Sequence, residues 1–235
     1  MTHRVAIVTG GARGQGAAVV RRLRAQDYAV VAMDLTTPES NDPLVVDCQG
    51  DVRSENDWGR VVEIAVERFG ALHVLVNNAG VLRSGSIPEE TADGMRALWE
   101  INCLGAFLGV QVALPALRAA AKNHDAAVVN TLSVAAVRGF ANHSAYSSSK
   151  FALRGFTQAA AKELSRDRIR VNAVVPGPIA TPMLDPSTVD RLGRELPLGR
   201  AGTAQDVAEV VAFLASPAAS FITGSEYAVD GGQLL

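Results

Sequence analysis

The feature that most constrains this chain is a short apolar run that ends on glycine and leads into a helix. Val5-Ala6-Ile7-Val8-Thr9 precedes Gly10-Gly11-Ala12-Arg13-Gly14-Gln15-Gly16, and a helix-like stretch follows to Ala25. A brief apolar run bounded by a turn signal reads as a buried strand. Strand, glycine turn and helix together form the context a phosphate cradle needs. Glycines let the backbone approach a pyrophosphate, and unpaired amides at the helix start attract its charge. A tight turn without a ligand would carry the same glycines, so the rest of the chain must decide. The spacing is Gly-x-x-x-Gly-x-Gly, not the more common Gly-x-Gly-x-x-Gly.

The same alternation continues. Ala29 to Met33 reads as a second strand ending at Asp34, Leu44 to Cys48 as a third, and Leu72 to Val76 as a fourth ending in Asn77-Asn78-Ala79-Gly80. Ala127 to Leu132, ending at Ser133, reads as a fifth, Arg170 to Val175 as a sixth and Glu226 to Val229 as the last. Helical faces separate most of them, with cap signals at Ser54-x-x-Asp57 and Thr203-x-x-Asp206. From Thr36 to Pro43 the composition is that of a loop, so that crossover is expected to be stunted. The pattern implies an α/β fold. A doubly wound parallel sheet of about seven strands carries helices on both faces, with ligands beyond the strands' C-terminal ends.

The length of 235 residues and 48% hydrophobic composition suit one large domain spanning residues 1–235. A net charge of −2, without a basic stripe, argues against nucleic acid as a partner. Two cysteines, Cys48 and Cys103, fit a reducing compartment, and a cytoplasmic location is expected. Four scattered histidines offer no metal-ligand spacing, so no metal site is expected. The N-terminal apolar run is too short for a signal-peptide core. The uncharged stretch between Glu100 and Arg118 contains Asn102, Gln111 and Pro115, and reads as a buried helix rather than a membrane span.

The chemistry points to Ser144-Ala145-Tyr146-Ser147-Ser148-Ser149-Lys150. On a helix of about 3.6 residues per turn, Tyr146 and Lys150 share a face. A free phenol has a pKa of about 10, and a neighbouring cation favours the phenolate. The pair is a candidate general acid/base at an alcohol oxygen. Ser133, at a strand end, could hydrogen-bond a substrate oxygen, although such serines usually cap turns. Asp34 lies 18 residues beyond Gly16 and could bind adenosine ribose hydroxyls. Its charge would repel a ribose 2′-phosphate, which favours NAD over NADP, whereas Arg13 pulls the other way. Pro176-Gly177-Pro178-Ile179-Ala180-Thr181-Pro182 forms a stiff loop placed to touch a cofactor amide, and the segment through Leu198 reads as a short polar lid.

Over nearly its whole length the chain resembles the short-chain dehydrogenase/reductase family. The resemblance rests on Thr9 through Gly16, Asp34, Asp51-Val52, Asn77 through Gly80, Asn102, Ser133, Tyr146 with Lys150, and Pro176-Gly177. Within the family it looks most like NAD-linked hydroxysteroid and related secondary-alcohol dehydrogenases. The resemblance implies that Tyr146 moves the proton, that Lys150 lowers its pKa and holds the nicotinamide ribose, and that Ser133 orients the substrate. Asn102 would hold a water that relays protons to Lys150. Gly10, Arg13, Gly14, Gln15 and Gly16 would wrap the pyrophosphate. Asp34 and Leu35 would border the adenosine ribose, with Asp51 and Val52 beside the adenine. Asn78, Ala79 and Gly80 would line the cofactor channel, and Pro176, Gly177, Ile179 and Thr181 would fix the nicotinamide. A homotetramer, or a homodimer, built on the helices about Asp93 to Leu117 and Ala145 to Leu164 is implied.

Three departures stand out. Gln15 occupies a position usually held by Ile or Leu, the segment after Asp34 is stunted, and the lid is short. The resulting expectation is an NAD-dependent oxidoreductase that interconverts a secondary alcohol and a ketone. An NADPH-dependent 3-ketoacyl reductase and a non-catalytic dinucleotide-sensing protein are the rivals.

Overall fold

A computed structural model describes residues 3–37 and 40–235. The readings made at Met1, Thr2, Pro38 and Glu39 lie outside the described residues. In chain order the elements are β1 (Val5–Thr9), α1 (Gly14–Arg24), β2 (Ala29–Asp34), β3 (Val45–Gln49), α2 (Glu55–Phe69) and β4 (Val74–Asn77). There follow α3 (Ala92–Trp99), a π-helical turn (Glu100–Leu104), α4 (Gly105–Ala121), β5 (Ala126–Thr131) and α5 (Ser144–Leu164). The chain ends with β6 (Ile169–Pro176), β7 (Ile179–Ala180), α6 (Pro186–Glu195), β8 (Gly202–Thr203), α7 (Ala204–Ala215) and β9 (Glu226–Val229).

Seven strands form one sheet in the order β3-β2-β1-β4-β5-β6-β9. Every pairing is parallel. Strand order reverses between β1 and β4, which opens a crevice beyond their C-terminal ends. Because helices cover both faces, the central strands are apolar on both sides. Val5, Ala6, Ile7 and Val8 are all fully buried. On one face Trp58, Leu108, Leu117 and Leu164 pack against the sheet from α2, α4 and α5. On the other, Val19, Leu23, Val207, Val211 and Leu214 pack from α1 and α7. Trp58 closes down on α4 at Gly109, where an added Cβ would lie 2.5 Å from its ring.

The two cap readings hold. Ser54 accepts from the Asp57 amide, and Thr203 with Asp206 forms a reciprocal capping box. Between β2 and β3 no helix occurs among the described residues, in keeping with a stunted crossover. One expectation is corrected and another refined. The segment from Thr181 to Leu198 is not a plain loop: it carries α6, started by Asp185 as N-cap and Pro186 at the first turn. The helix expected over about Asp93 to Leu117 is present, but it passes through a π turn at Glu100–Leu104. The continuous helical stretch Ala92–Ala121 has a mean hydropathy of 1.5 in its most apolar part, and half of that part is buried inside the protein.

At the opposite end of the sheet from the crevice, Asp125 joins Arg4 and Arg170 at 3.1 and 2.9 Å. Beside them the His73 Nδ1 accepts the Val5 amide at 3.0 Å, which requires that nitrogen to be unprotonated. Burial, reinforced by the Arg4 charge, lowers the His73 pKa from 6.5 to about 4. The unfolded chain therefore takes up this proton first as pH falls. The stability held by neutral His73 is present above pH 6.5 and lost toward pH 4. The thermal midpoint should drop across that window, and His73→Asn, which keeps an acceptor for Val5 but cannot titrate, should show a shallower drop in a pH series of melting curves.

Candidate active site

The site is built where β1, β4 and β5 end. Thr9, the last residue of β1, places its hydroxyl at the switch point. Its Oγ1 accepts the amides of Asn78 and Ala79, each at 3.0 Å, and donates to the Val76 carbonyl at 3.3 Å. The Asn78 carboxamide in turn donates to the Thr9 carbonyl at 2.9 Å. The glycine turn then folds against itself. A Cβ at Gly16 would sit 1.9 Å from the Gly10 carbonyl oxygen, so no side chain fits there. Gly10 adopts φ +65°, a conformation that favours glycine.

Helix α1 begins at this turn with an open anion site. Its N-cap, Arg13, makes no capping hydrogen bond, and no acidic residue lies in the first turn. The leading amides are free to meet a phosphate. The Asp34 Oδ2 accepts the Ala12 amide at 3.0 Å, which fixes the carboxylate beside the turn. Across the crevice, the Thr181 side chain lies 3.6 Å from where a Cβ on Gly14 would be. These features fit a dinucleotide pyrophosphate with its ribose against Asp34.

The reactive groups gather at the end of β5. Ser133 accepts the Ala135 amide at 3.1 Å as a turn cap, and its hydroxyl is near enough to the Tyr146 phenol to favour its ionised form. The Lys150 Nζ donates to the Thr131 carbonyl, 2.8 Å away and two residues before Ser133. Gly80 faces the same point. A Cβ there would lie 3.1 Å from the Asn102 Oδ1 and 3.4 Å from the Lys150 Nζ. The Asn102 side chain accepts the Val81 amide at 2.8 Å and donates to the Val81 carbonyl and the Ser149 hydroxyl, each at 3.0 Å. It sits in the π turn, and these bonds hold that turn to β4 and α5.

The titration behaviour differs from the simple cation argument. Burial raises the Tyr146 pKa above the usual phenol value, and the Ser133 hydroxyl only partly offsets this. Burial also lowers the Lys150 pKa from 10.5 to about 8. In the protein alone burial dominates at the phenol, and Lys150 is itself desolvated and turned onto a carbonyl.

The family model described as enoyl-(acyl carrier protein) reductase matches residues 10–233. The chain is 36% identical to trans-4-hydroxycyclohexanecarboxylate dehydrogenase of Sinomonas cyclohexanicum, covering 99% of this chain and 93% of that protein. It is also 36% identical to 3-alpha-(or 20-beta)-hydroxysteroid dehydrogenase of Mycobacterium bovis, covering 98% and 89% respectively. Among solved structures, 3-ketoacyl-(acyl-carrier-protein) reductase from Brucella melitensis, complexed with NADH, superposes with a TM-score of 0.93. That pair is 29% identical and covers 99% of this chain and 98% of the other.

The chain belongs to the short-chain dehydrogenase/reductase family. It is an oxidoreductase of the kind that acts on CH–OH groups. Several residues singled out in this short-chain dehydrogenase/reductase sit differently from a simple lining role. The Asp51 carboxylate pairs with Arg53 at 2.5 Å. The Val52 side chain turns onto Gly105 of α4. Ile179 is buried in the core beside β8, and Gly177 packs its Cα against Asp230, where a Cβ would come within 2.8 Å. Leu35 is exposed beside a recess of about 460 Å³ that also touches Gln49, Gly50, Asp51, Asp57 and Arg60. The Gln15 Oε1 is buried without a partner.

Thr9 reads in the sequence only as the end of a strand and part of the family motif, which leaves its role in joining β1 to the turn after β4 unforeseen. Thr9→Val keeps the shape but leaves the partly buried Asn78 and Ala79 amides without their partner. Unfolding free energy from urea titration should fall by about 2–4 kcal/mol.

Proposed function

We propose that this protein is an NAD-dependent dehydrogenase that interconverts a secondary alcohol and a ketone, working as a single unit over residues 1–235. The observation that carries the reading is that Lys150 and Asn102 meet at Gly80 while Lys150 also reaches the end of β5, where Ser133 stands by Tyr146, and that the leading amides of α1 are uncapped. The backbone from Gly10 to Gly16, with Arg13 and Gln15, holds the pyrophosphate. Asp34 takes the adenosine ribose, Leu35, Asp51 and Val52 border the adenine, and Asn78, Ala79 and Gly80 line the channel. Pro176, Gly177, Ile179 and Thr181 flank the nicotinamide. When bound, the nicotinamide supplies hydride transfer.

Ser133 orients the substrate oxygen, and Tyr146 removes its proton in oxidation or returns it in reduction. Lys150 holds the nicotinamide ribose and, in its ammonium form, favours the phenolate. Asn102 braces the water path behind Lys150. Names of the relatives favour a cyclic secondary alcohol as substrate. The exposed side chains of Trp99, Phe107 and Phe151 on α3, α4 and α5 support a homotetramer, or a homodimer, through those helices. The free, buried Cys48 and Cys103 support a cytoplasmic location.

A second reading, an NADPH-dependent 3-ketoacyl reductase, draws on the likeness to the Brucella structure. The Asp34 carboxylate, held at the glycine turn, weighs against a 2′-phosphate there. Paired kcat/KM values with NADH and NADPH should differ by at least about tenfold in favour of NADH. Parity, or a preference for NADPH, would overturn the NAD assignment. Tyr146→Phe should lower turnover roughly a hundredfold or more, with NADH affinity by fluorescence within about twofold of wild type. Because oxidation needs the phenolate, its rate should rise with pH toward the elevated Tyr146 pKa, and ketone reduction should fall over the same range. A cyclic and steroidal alcohol panel read by NADH absorbance tests the whole reading, and turnover of none of them would sink it.

A further inference from the structure

The mouth of the site holds a connection that the mechanism above does not use. His143 immediately precedes α5, three residues before Tyr146. Its Nδ1 lies 3.0 Å from the Ala141 carbonyl, which can only accept, so Nδ1 carries a proton. In the neutral ring Nε2 is then an acceptor, and it takes the Ser84 hydroxyl at 3.0 Å. The backbone reinforces the link. The Gly85 amide donates to the Asn142 carbonyl at 2.8 Å, and Gly85 forms an isolated parallel bridge with His143. The same imidazole stands edge-on to Tyr146, with ring centroids 6.3 Å apart at 66°. Two segments 59 residues apart in sequence thus meet at one side chain beside the phenol.

We infer that His143 is a positioning residue for the dehydrogenase reaction: its Nε2 latches the loop after β4 to the start of α5 through Ser84, and its ring edge sets the orientation of Tyr146. The inference rests on the dehydrogenase reading for its kinetic consequences, but not for the latch itself. On the dehydrogenase reading the loop after β4, tied beside Tyr146, borders the substrate, so the hydrogen bond governs how substrate is held. The ring contact governs how the phenol is aimed. The two functions sit on different parts of one side chain and can be separated.

His143→Phe keeps an aromatic edge against Tyr146 and removes the latch. His143→Gln keeps a hydrogen-bond partner for Ser84 and removes the ring. The expected result is a split. His143→Phe and Ser84→Ala raise KM for the alcohol about fivefold with kcat within twofold, whereas His143→Gln lowers kcat about fivefold with KM within twofold. His143→Ala does both, and adding Ser84→Ala to it has no further effect on KM, because both changes break the same bond. The latch is also read without turnover, by amide hydrogen exchange. Gly85 should exchange at least about threefold faster in Ser84→Ala than in wild type. If wild type binds NADH but oxidises no alcohol, the dehydrogenase reading fails and exchange at Gly85 alone decides the latch. Unchanged exchange at Gly85 in Ser84→Ala, or kcat and KM both within twofold of wild type in His143→Ala, overturns the proposal.

Discussion

One hydroxyl holds the two halves of the crevice in register. Strands β1 and β4 diverge where the sheet reverses its order, and a gap between their ends is what allows a ligand to sit there. A gap of that kind exposes main-chain groups with no strand partner. Thr9 resolves this by accepting two amides from the turn after β4 while donating to that strand. Asn78 closes the loop from the other side by bonding the Thr9 carbonyl. The glycine turn is therefore anchored before any ligand arrives. Its tightness then follows from Gly16, whose missing side chain lets the helix start press against the Gly10 carbonyl. The α1 amides point into the gap as a consequence, without a side chain to cap them.

The electrostatics of the site depend on this closed geometry. Lys150 is buried and bonded to a carbonyl rather than a carboxylate, so its charge is only partly compensated. Its pKa falls to about 8, while that of Tyr146 rises. Both shifts disfavour the charged forms, and both have burial as their largest cause. A pair arranged in this way responds strongly to whatever enters the crevice. Hydrogen-bond partners or negative charge near Lys150 stabilise its ammonium form further, and a nearby ammonium favours the phenolate. In the protein alone, burial thus favours the neutral phenol at Tyr146.

What could be read in the sequence follows from how local each determinant is. The strands were legible because a parallel sheet covered on both faces demands runs such as Val5 to Val8 that are apolar throughout. The Thr203–Asp206 capping box and the Ser54 cap were legible because their partners lie three residues apart. The π turn was not, because Asn102 is held there by Val81 and Ser149, 21 and 47 residues distant. Helix α6 was read as loop because it buries only Val189 and Gly193, so its apolar stripe is thin. Its Asp185-Pro186 start was the overlooked signal. The meeting of Ser133, Tyr146 and Lys150 was expected from the family pattern, but the direction of the Tyr146 shift was not, since burial is a property of the assembled fold.

The mouth is built from the least regular parts of the chain, yet those parts are pinned at their ends. Residues 181–201 leave the sheet and return through a two-residue parallel pairing of Ile179–Ala180 with Gly202–Thr203. The Gly202 amide bonds the Pro178 carbonyl at 3.0 Å, and the Leu198 amide bonds the Gly231 carbonyl at 3.1 Å. Ile179 anchors the ribbon in the core, and the missing side chain of Gly202 leaves room for the Ile179 Cδ1, which a Cβ would approach within 2.6 Å. Closing the excursion this way confines its freedom to α6 and its flanks, whose outward residues, such as Met183 and Leu198, are exposed. Sequence change in that excursion can therefore be absorbed without disturbing the strand ends. The same separation accounts for a fold shared at a TM-score of 0.93 with a ketoacyl reductase at only 29% identity.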